Sequence, residues 1–264
     1  MLWCEMINAT TATWGHLPYK DAMERLQDTV DPFLGKISTK HVQLCPQNPG
    51  MNNINSLLEL KDLYPDTSFR LHADVKVIGR VSKADLCWYT KVHNSNWTCI
   101  AAASNALQAP CYSLHAGERN CTFNELLEKY YQLQELFDCP IAIEGHYPAG
   151  NNRYHLSTWE EHEQLMMSGA KFVVDLSHFN IIATRYGWQD DLVYAMLQHD
   201  NCLEVHVSSN GGKVDAHEPL LEEPYWWKYM NVVKADIFYE GNHSIIELRK
   251  NNPNFGRNKN AICL

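Results

Sequence analysis

Short apolar runs recur along the chain, separated by longer stretches in which apolar positions return every three or four residues. Eight runs have strand character: Trp3–Ala9, His41–Leu44, Ser68–Ala73, Cys111–His115, Pro140–Glu144, Lys171–Asp175, Cys202–Val207 and Asp236–Glu240. Their near-continuous apolar character fits parallel strands covered by helices better than half-wet antiparallel ones. The stretches between them carry helix starts. Thr122-Phe-Asn-Glu125 reads as a capping box opening Leu126–Phe137, and Thr158-Trp-Glu-Glu161 opens the stretch to Met167 in the same way. Gly169 stands where that helix must stop before the next strand. Eight βα units predict an α/β fold, a single (β/α)8 TIM barrel over residues 1–250 with a polar tail over 251–264. An open sheet of fewer strands is the competing arrangement.

Bulk composition narrows the setting. A length of 264 residues suits one closed barrel, and 45% hydrophobic content supplies its core. A net charge of −9 argues against a nucleic-acid partner, because phosphate binding needs a basic face. No apolar stretch approaches a membrane span, and Met1–Gly15 has no basic-then-apolar leader pattern. The nine cysteines are odd in number and irregular in spacing, and no Cys-x-x-Cys pair occurs. The expectation is a cytoplasmic protein with reduced thiols, with no membrane contact. Thirteen histidines against 22 lysines and arginines prompt a search for metal ligands.

That search is answered by position. Strand after strand ends in a potential donor: His72, His115, Glu144, Asp175 with His178 just beyond it, His206, and Glu240. Asp215 and His217 lie in the loop after the seventh run. In a parallel barrel these strand ends converge on one face. Nine oxygen and nitrogen donors crowded on one rim would repel or stay unsatisfied without cations, which points to two or three metal ions. Asp74, two residues beyond His72, is a candidate for supporting the ligands from behind. Cys111 and Cys202 begin strands rather than end them, so thiolate ligation has no support. Imidazole and carboxylate donors suit zinc, manganese or iron.

The other histidines carry less information. His16, His41, His93, His155, His162 and His199 lack the strand-end context and read as surface or structural residues, whereas His146 and His243 stay undecided. Tyr225-Trp-Trp-Lys-Tyr229, preceded by Pro224, reads as helical packing surface. Gly211-Gly212 offers a mobile loop over the mouth, with no Gly-Lys-Ser/Thr to make it a phosphate loop.

The donor order resembles that of the xylose-isomerase-like barrels, in particular the trinuclear-zinc endonuclease IV family. A closer resemblance lies in Phe172-Val-Val-Asp-Leu-Ser-His-Phe-Asn-Ile181 through Tyr186-Gly187 to Leu197, in Glu204-Val-His-Val, and in Asp215-Ala-His-Glu-Pro-Leu220 followed by Trp226-Trp-Lys-Tyr229. These phrases are similar to the multinuclear non-heme iron-dependent oxidative enzymes, the family of the methanobactin-forming enzyme and of cysteine β-carbon excision in 3-thiaglutamate biosynthesis. The likeness runs from about His72 to Glu240. It departs at Glu144-Gly145-His146-Tyr147-Pro148, where the family has Glu-Asn-Pro, and at His178, where many members have Asn.

The resemblance implies His72, His115 and Glu144 at one metal, Glu144, Asp175, His206 and Glu240 at a second, and His178, Asp215 and His217 at a third. Glu144 then bridges, and Glu144 and His178 take the catalytic roles. It further implies iron with O2 as co-substrate, acting on a cysteine of a ribosomally made peptide, with a small partner protein reading the leader. Excision of the cysteine β-methylene is the expected reaction. The rival readings are a zinc phosphodiesterase like endonuclease IV, for which the acidic chain has few basic residues near the ligands, and a metal-dependent sugar isomerase, for which Asp215 and His217 are superfluous. A non-catalytic barrel that only binds a partner is the fourth.

Overall fold

A computed structural model describes residues 7–50, 53–73, 85–89, 95–150 and 152–251. Its eight strands form one parallel sheet: β1 Ile7–Thr10, β2 Ser38–Leu44, β3 Ser68–Leu71, β4 Tyr112–His115, β5 Ile141–Glu144, β6 Phe172–Asp175, β7 Cys202–Val207 and β8 Asp236–Tyr239. Every predicted run overlaps one of them, the first strand running one residue past its run and the second starting three residues before it. Hydrogen bonding runs in the order β3-β2-β1-β8-β7-β6-β5-β4. The two ends meet at one parallel bridge between His72 and Ser113, so the sheet closes into a (β/α)8 barrel rather than staying open.

The helices are α1 Tyr19–Gln27, α2 Ile54–Leu63, α3 Ser95–Leu107, α4 Phe123–Gln134, α5 Trp159–Met167, α6 Leu176–Tyr186, α7 Asp190–Gln198 and α8 Ser244–Asn251. Both α6 and α7 cross from β6 to β7, and a 3-10 helix, Tyr225–Val232, replaces an α-helix between β7 and β8. Outward strand residues such as Val42, Phe69, Leu114, Ile143, Val174, Val205 and Ile237 are buried beneath these helices in one continuous core. The predicted runs look continuously apolar because this outer face is so well covered. The inward positions, by contrast, include Gln43, Arg70, Ser113, Glu144, Glu204 and His206, all buried. The barrel interior is rich in polar side chains, beside a small separate apolar cluster of Cys111, Ala142 and Val173.

Local chemistry sets the helix starts. Thr122 and Glu125 exchange side-chain bonds with each other's backbone N–H, completing the expected capping box, and α4 begins at once at Phe123. Thr158 accepts from Glu161 N–H at 3.4 Å, but Glu161 turns away to Arg119 and to the backbone N–H of Ser157. That box is therefore only half formed, because Arg119 competes for the carboxylate. Gly169 follows the end of α5 at φ +81°, a left-handed conformation that favours glycine.

Some details differ from expectation, and others lie outside the described residues. Gly211-Gly212 is no loose flap: the Gly212 N–H donates to Asn210 Oδ1, and a Cβ there would lie 2.2 Å from Thr184 Oγ1 on α6. A small antiparallel pair, Val30–Asp31 with Gly35–Lys36, was not predicted, its two-residue strands being too short to show periodicity. Asp74, His93 and the tail beyond residue 251 lie outside the described residues. Trp226 and Tyr229 are buried as packing residues, while Tyr225 is exposed. The seven cysteines among the described residues are all free. No helix among the described residues is long and apolar enough to cross a membrane.

Candidate metal centre

Strand register brings the donors together. Glu144 pairs with His115 across β5 and β4, Asp175 with His206 across β6 and β7, and His206 with Phe238 across β7 and β8. All nine predicted donors gather at the carboxyl-terminal mouth of the barrel, His178 from α6 and Asp215 and His217 from the loop after β7, and Glu144 is at their middle. Its Oε2 lies 3.2 Å from His206 Nδ1 and 3.4 Å from His72 Nε2, and its Oε1 lies 3.7 Å from His115 Nε2 and 3.6 Å from His178 Nδ1.

The far side of the cluster is built on Asp215. Its Oδ2 is 3.3 Å from His178 Nε2 and 2.8 Å from His217 Nε2, and the other ring nitrogen of His217 lies 3.5 Å from Glu240 Oε2. His217 holds φ +43°, an unusual conformation for a side-chain-bearing residue, in a loop pinned by the Ser209–Glu218 bridge. Asp175 serves twice. One oxygen caps α6 by accepting from the N–H groups of Ser177 and His178, and the other faces the centre.

Donor atoms within 4.8 Å of one another form three overlapping triplets: His72, Glu144 and His206; Glu144, Asp175 and His178; and Asp175, His206 and Glu240. The grouping differs from the expected one twice: His206 rather than His115 sits close to His72 and Glu144, and His178 groups with Glu144 and Asp175, while Asp215 and His217 enter no triplet. His115 reaches Glu144 from a more open position and also approaches Asp85 at 3.9 Å.

Do these residues fit metal? Buried atoms with no hydrogen-bond partner include Glu144 Oε2, Asp175 Oδ2, His206 Nδ1 and His217 Nδ1. A buried lone pair without a partner is costly, and here four of them gather at one spot. Cations on this oxygen and nitrogen set would satisfy them all, so the residues fit the group.

Electrostatics agrees with the crowding. Burial alone would raise the Glu144 carboxyl, but His206, His115 and His72 hold it well below the usual range. Burial would lower His178 and His206, yet Asp175 and Asp215 beside the first, and Glu240 and Glu144 beside the second, hold both well above it. Burial overcomes the pull of Glu144 on His72, which falls to about 3. Burial pushes Glu240 up to about 7 against the pull of His206 and His217. Without a metal, protons do the work of the cations.

Sequence reasoning missed the support behind these donors. Glu204, wholly buried, accepts from Arg70 Nη1 at 2.7 Å and from Gln43 Nε2 at 2.8 Å, and lies 3.1 Å from His206 Nε2. Burial would raise its carboxyl, but Arg70 holds it far below. The available signal was the alternation Glu204-x-His206, which places both inside the barrel. His146, left undecided, stacks between His115 at 4.9 Å and Tyr154 at 4.3 Å, with a buried, partnerless Nε2. His243 is structural: it sits against Asp31 at 3.1 Å and Tyr239 at 3.2 Å behind β8. His41, half-buried, packs at the opposite barrel end against Arg70, and His162 is buried under Gly145, so both are the structural kind among the residues read as surface or structural.

The sequence matches no family model and no curated protein. The fold does have solved counterparts. A D-tagatose 3-epimerase-like protein superposes with a TM-score of 0.63 at 14% identity, over 96% of this chain and 97% of its own. A xylose isomerase domain containing protein from Salmonella typhimurium gives 0.62 at 13% identity over 90% and 88%, and a family 2 AP endonuclease from Brucella melitensis gives 0.61 at 11% over 90% and 93%. The fold is that of the xylose-isomerase-like (β/α)8 barrels.

Proposed function

We propose that this chain is a metal-dependent enzyme with a multinuclear centre at the barrel mouth, and that it hydrolyses a phosphodiester or a related ester. The observation that carries the reading is the third donor group. His178, Asp215 and His217 are joined to one another at 3.3 and 2.8 Å, and His178 and His217 reach the carboxylates of Asp175, Glu240 and Glu144 at 3.4, 3.5 and 3.6 Å, beyond anything a single-ion isomerase site requires. Bound divalent ions would supply Lewis acidity toward an ester oxygen and make water acidic enough to react near neutral pH. The chain's own residues do the rest. Glu144, in reach of four imidazoles, would be the residue shared between ions; Asp215 joins His178 to His217; and Asp175, fixed by its capping bonds, presents one oxygen without needing to reorganise. Fold counterparts named for an AP endonuclease and for epimerases are compatible with hydrolytic and isomerising chemistry respectively.

The test is protein purified without added metal, assayed for metal content and for hydrolysis of bis(p-nitrophenyl) phosphate under nitrogen. Two or more ions per chain with chelator-sensitive hydrolysis is the expected result. A metal-free, inactive protein that gains nothing from zinc or manganese overturns it.

One observation favours a second reading, the iron- and O2-dependent oxidation of a peptidyl cysteine. Arg119 and Arg153, in the loops after β4 and β5, are each bound to a carboxylate, Glu161 and Glu118. They are poorly disposed toward a polyanionic substrate, and the net charge of −9 points the same way. Oxygen uptake by iron-loaded protein with a cysteine peptide and its leader-binding partner supports this reading. Hydrolysis under nitrogen with no oxygen demand removes it.

A further inference from the structure

We propose that Glu204 is a positioning residue that fixes the orientation and tautomer of His206, so that Nδ1 and not Nε2 is the metal-facing nitrogen. The inference rests on the metal reading above and concerns a residue outside the donor set. Three observations carry it. His206 presents Nε2 to Glu204 Oε2 at 3.1 Å and Nδ1 to Glu144 at 3.2 Å and Glu240 at 3.7 Å, so its two nitrogens face opposite ways. Glu204 has no exposed side-chain surface, and Arg70, 1% exposed, holds its other oxygen at 2.7 Å. Gln43 donates to the His206-facing oxygen at 2.8 Å, which locks the carboxylate plane.

An ionised carboxylate only accepts hydrogen bonds. Gln43 Nε2 also lies 3.1 Å from His206 Nε2, but Glu204 Oε2 at 2.8 Å and Ser113 Oγ at 3.4 Å take its two hydrogens. When the ring is neutral, Nε2 therefore keeps its proton toward Glu204 and the lone pair is left on Nδ1. That atom is buried without any partner. Arg70 itself is anchored beyond Glu204 by Asp236 at 2.5 Å and His41 at 2.8 Å. A chain of fixed charges thus runs up the barrel axis from its amino-terminal end to the centre. A carboxylate behind a ligating imidazole raises its basicity and holds its ring plane.

Glu204→Gln alone leaves Arg70 with a buried charge and risks misfolding. The decisive variant is the double substitution Arg70→Met with Glu204→Gln, which removes both charges together. Metal affinity by competition with a chelating dye should fall by about 10–100-fold relative to wild type. In cadmium-loaded, isotope-labelled wild-type protein, nitrogen spectra should show cadmium coupled to His206 Nδ1, with the proton on Nε2. In the double variant that single pattern should be lost. A folded double variant with unchanged affinity and unchanged Nδ1 coupling overturns the inference and leaves the metal reading standing. Wild-type protein that binds no metal overturns the metal reading instead. The His206 tautomer in the metal-free protein at alkaline pH then decides for or against Glu204 separately.

Discussion

The place a Cβ on Gly145 would occupy is already filled by the imidazole of His162, whose Cε1 lies 2.0 Å away. Gly145 is the residue immediately after Glu144, so the contact sets how close α5 can pack beneath the centre. Gly145→Ala must push either β5 or α5 outward, at a cost of about 1–3 kcal/mol. Thermal unfolding should show that loss, and metal content should fall with it because Glu144 is displaced. Adding His162→Ala should return part of both. Strictly additive losses in the double variant would mean the two residues are not coupled.

Glu144→Gln keeps the side-chain shape and removes the charge that four imidazoles face. The variant is expected to hold at most one ion per chain, with turnover abolished. Elemental analysis beside the activity assay checks both. Full loading with retained activity would remove Glu144 from the bridging role.

Asp175 separates structure from ligation in one residue. Asparagine caps a helix about as well as aspartate, whereas alanine loses about 1 kcal/mol at such a position. Metal-free Asp175→Asn should therefore melt close to wild type, and Asp175→Ala should melt lower. Both should bind less metal, because the partnerless oxygen facing the centre is gone. Equal melting of the two variants in chelator would deny the capping role.

Asp31 gives a pH dependence away from the metal donors. Burial would raise its carboxyl, but His243, the backbone N–H of Leu34, Tyr239 and the N–H of Phe33 hold it below the ordinary value. A depressed carboxyl stabilises the fold above the unfolded-state value of about 3.9 and loses that contribution as pH falls through its lower native value. The stability gap between wild type and Asp31→Asn should be constant near neutrality and shrink below about pH 4. A gap that widens in acid contradicts the assignment.

Fold and donors were legible in the sequence for one reason: strand ends in a parallel barrel share a face, so position along the chain reports position in space. His72, Glu144, Asp175 and His206 could be found that way. The grouping of His206 with His72 could not, because it depends on which ring nitrogen points where. Glu204 stood in the phrase Glu204-Val-His-Val without a role, and Arg70 likewise, because a charge inside a strand gives no sign of the partner it meets across the barrel. His162 looked peripheral because a helix residue gives no sign of the glycine it packs against. The Asp31, Tyr239 and His243 cluster joins residues more than 200 positions apart, through contacts no periodicity encodes.

Among the described residues the barrel closes at one bridge, His72–Ser113, and that seam has a mechanical consequence. Along the seam the backbone is tied by Ala73 N–H to the Ser113 carbonyl at 2.8 Å, and the side chains by His72 Nδ1 to Ser113 Oγ at 2.9 Å. His72 stands on one side of the seam, His115 and Glu144 on the other. An ion shared between them would act as a clasp on a hoop whose other joints are already sewn by two or more paired positions each. Amide exchange should therefore quicken on chelation first at Ala73 and along Tyr112–His115, while the β1–β8 pairing stays protected. The metal would then be a fastener of the cylinder as well as a reagent, and losing it would let the hoop spring open at one known place.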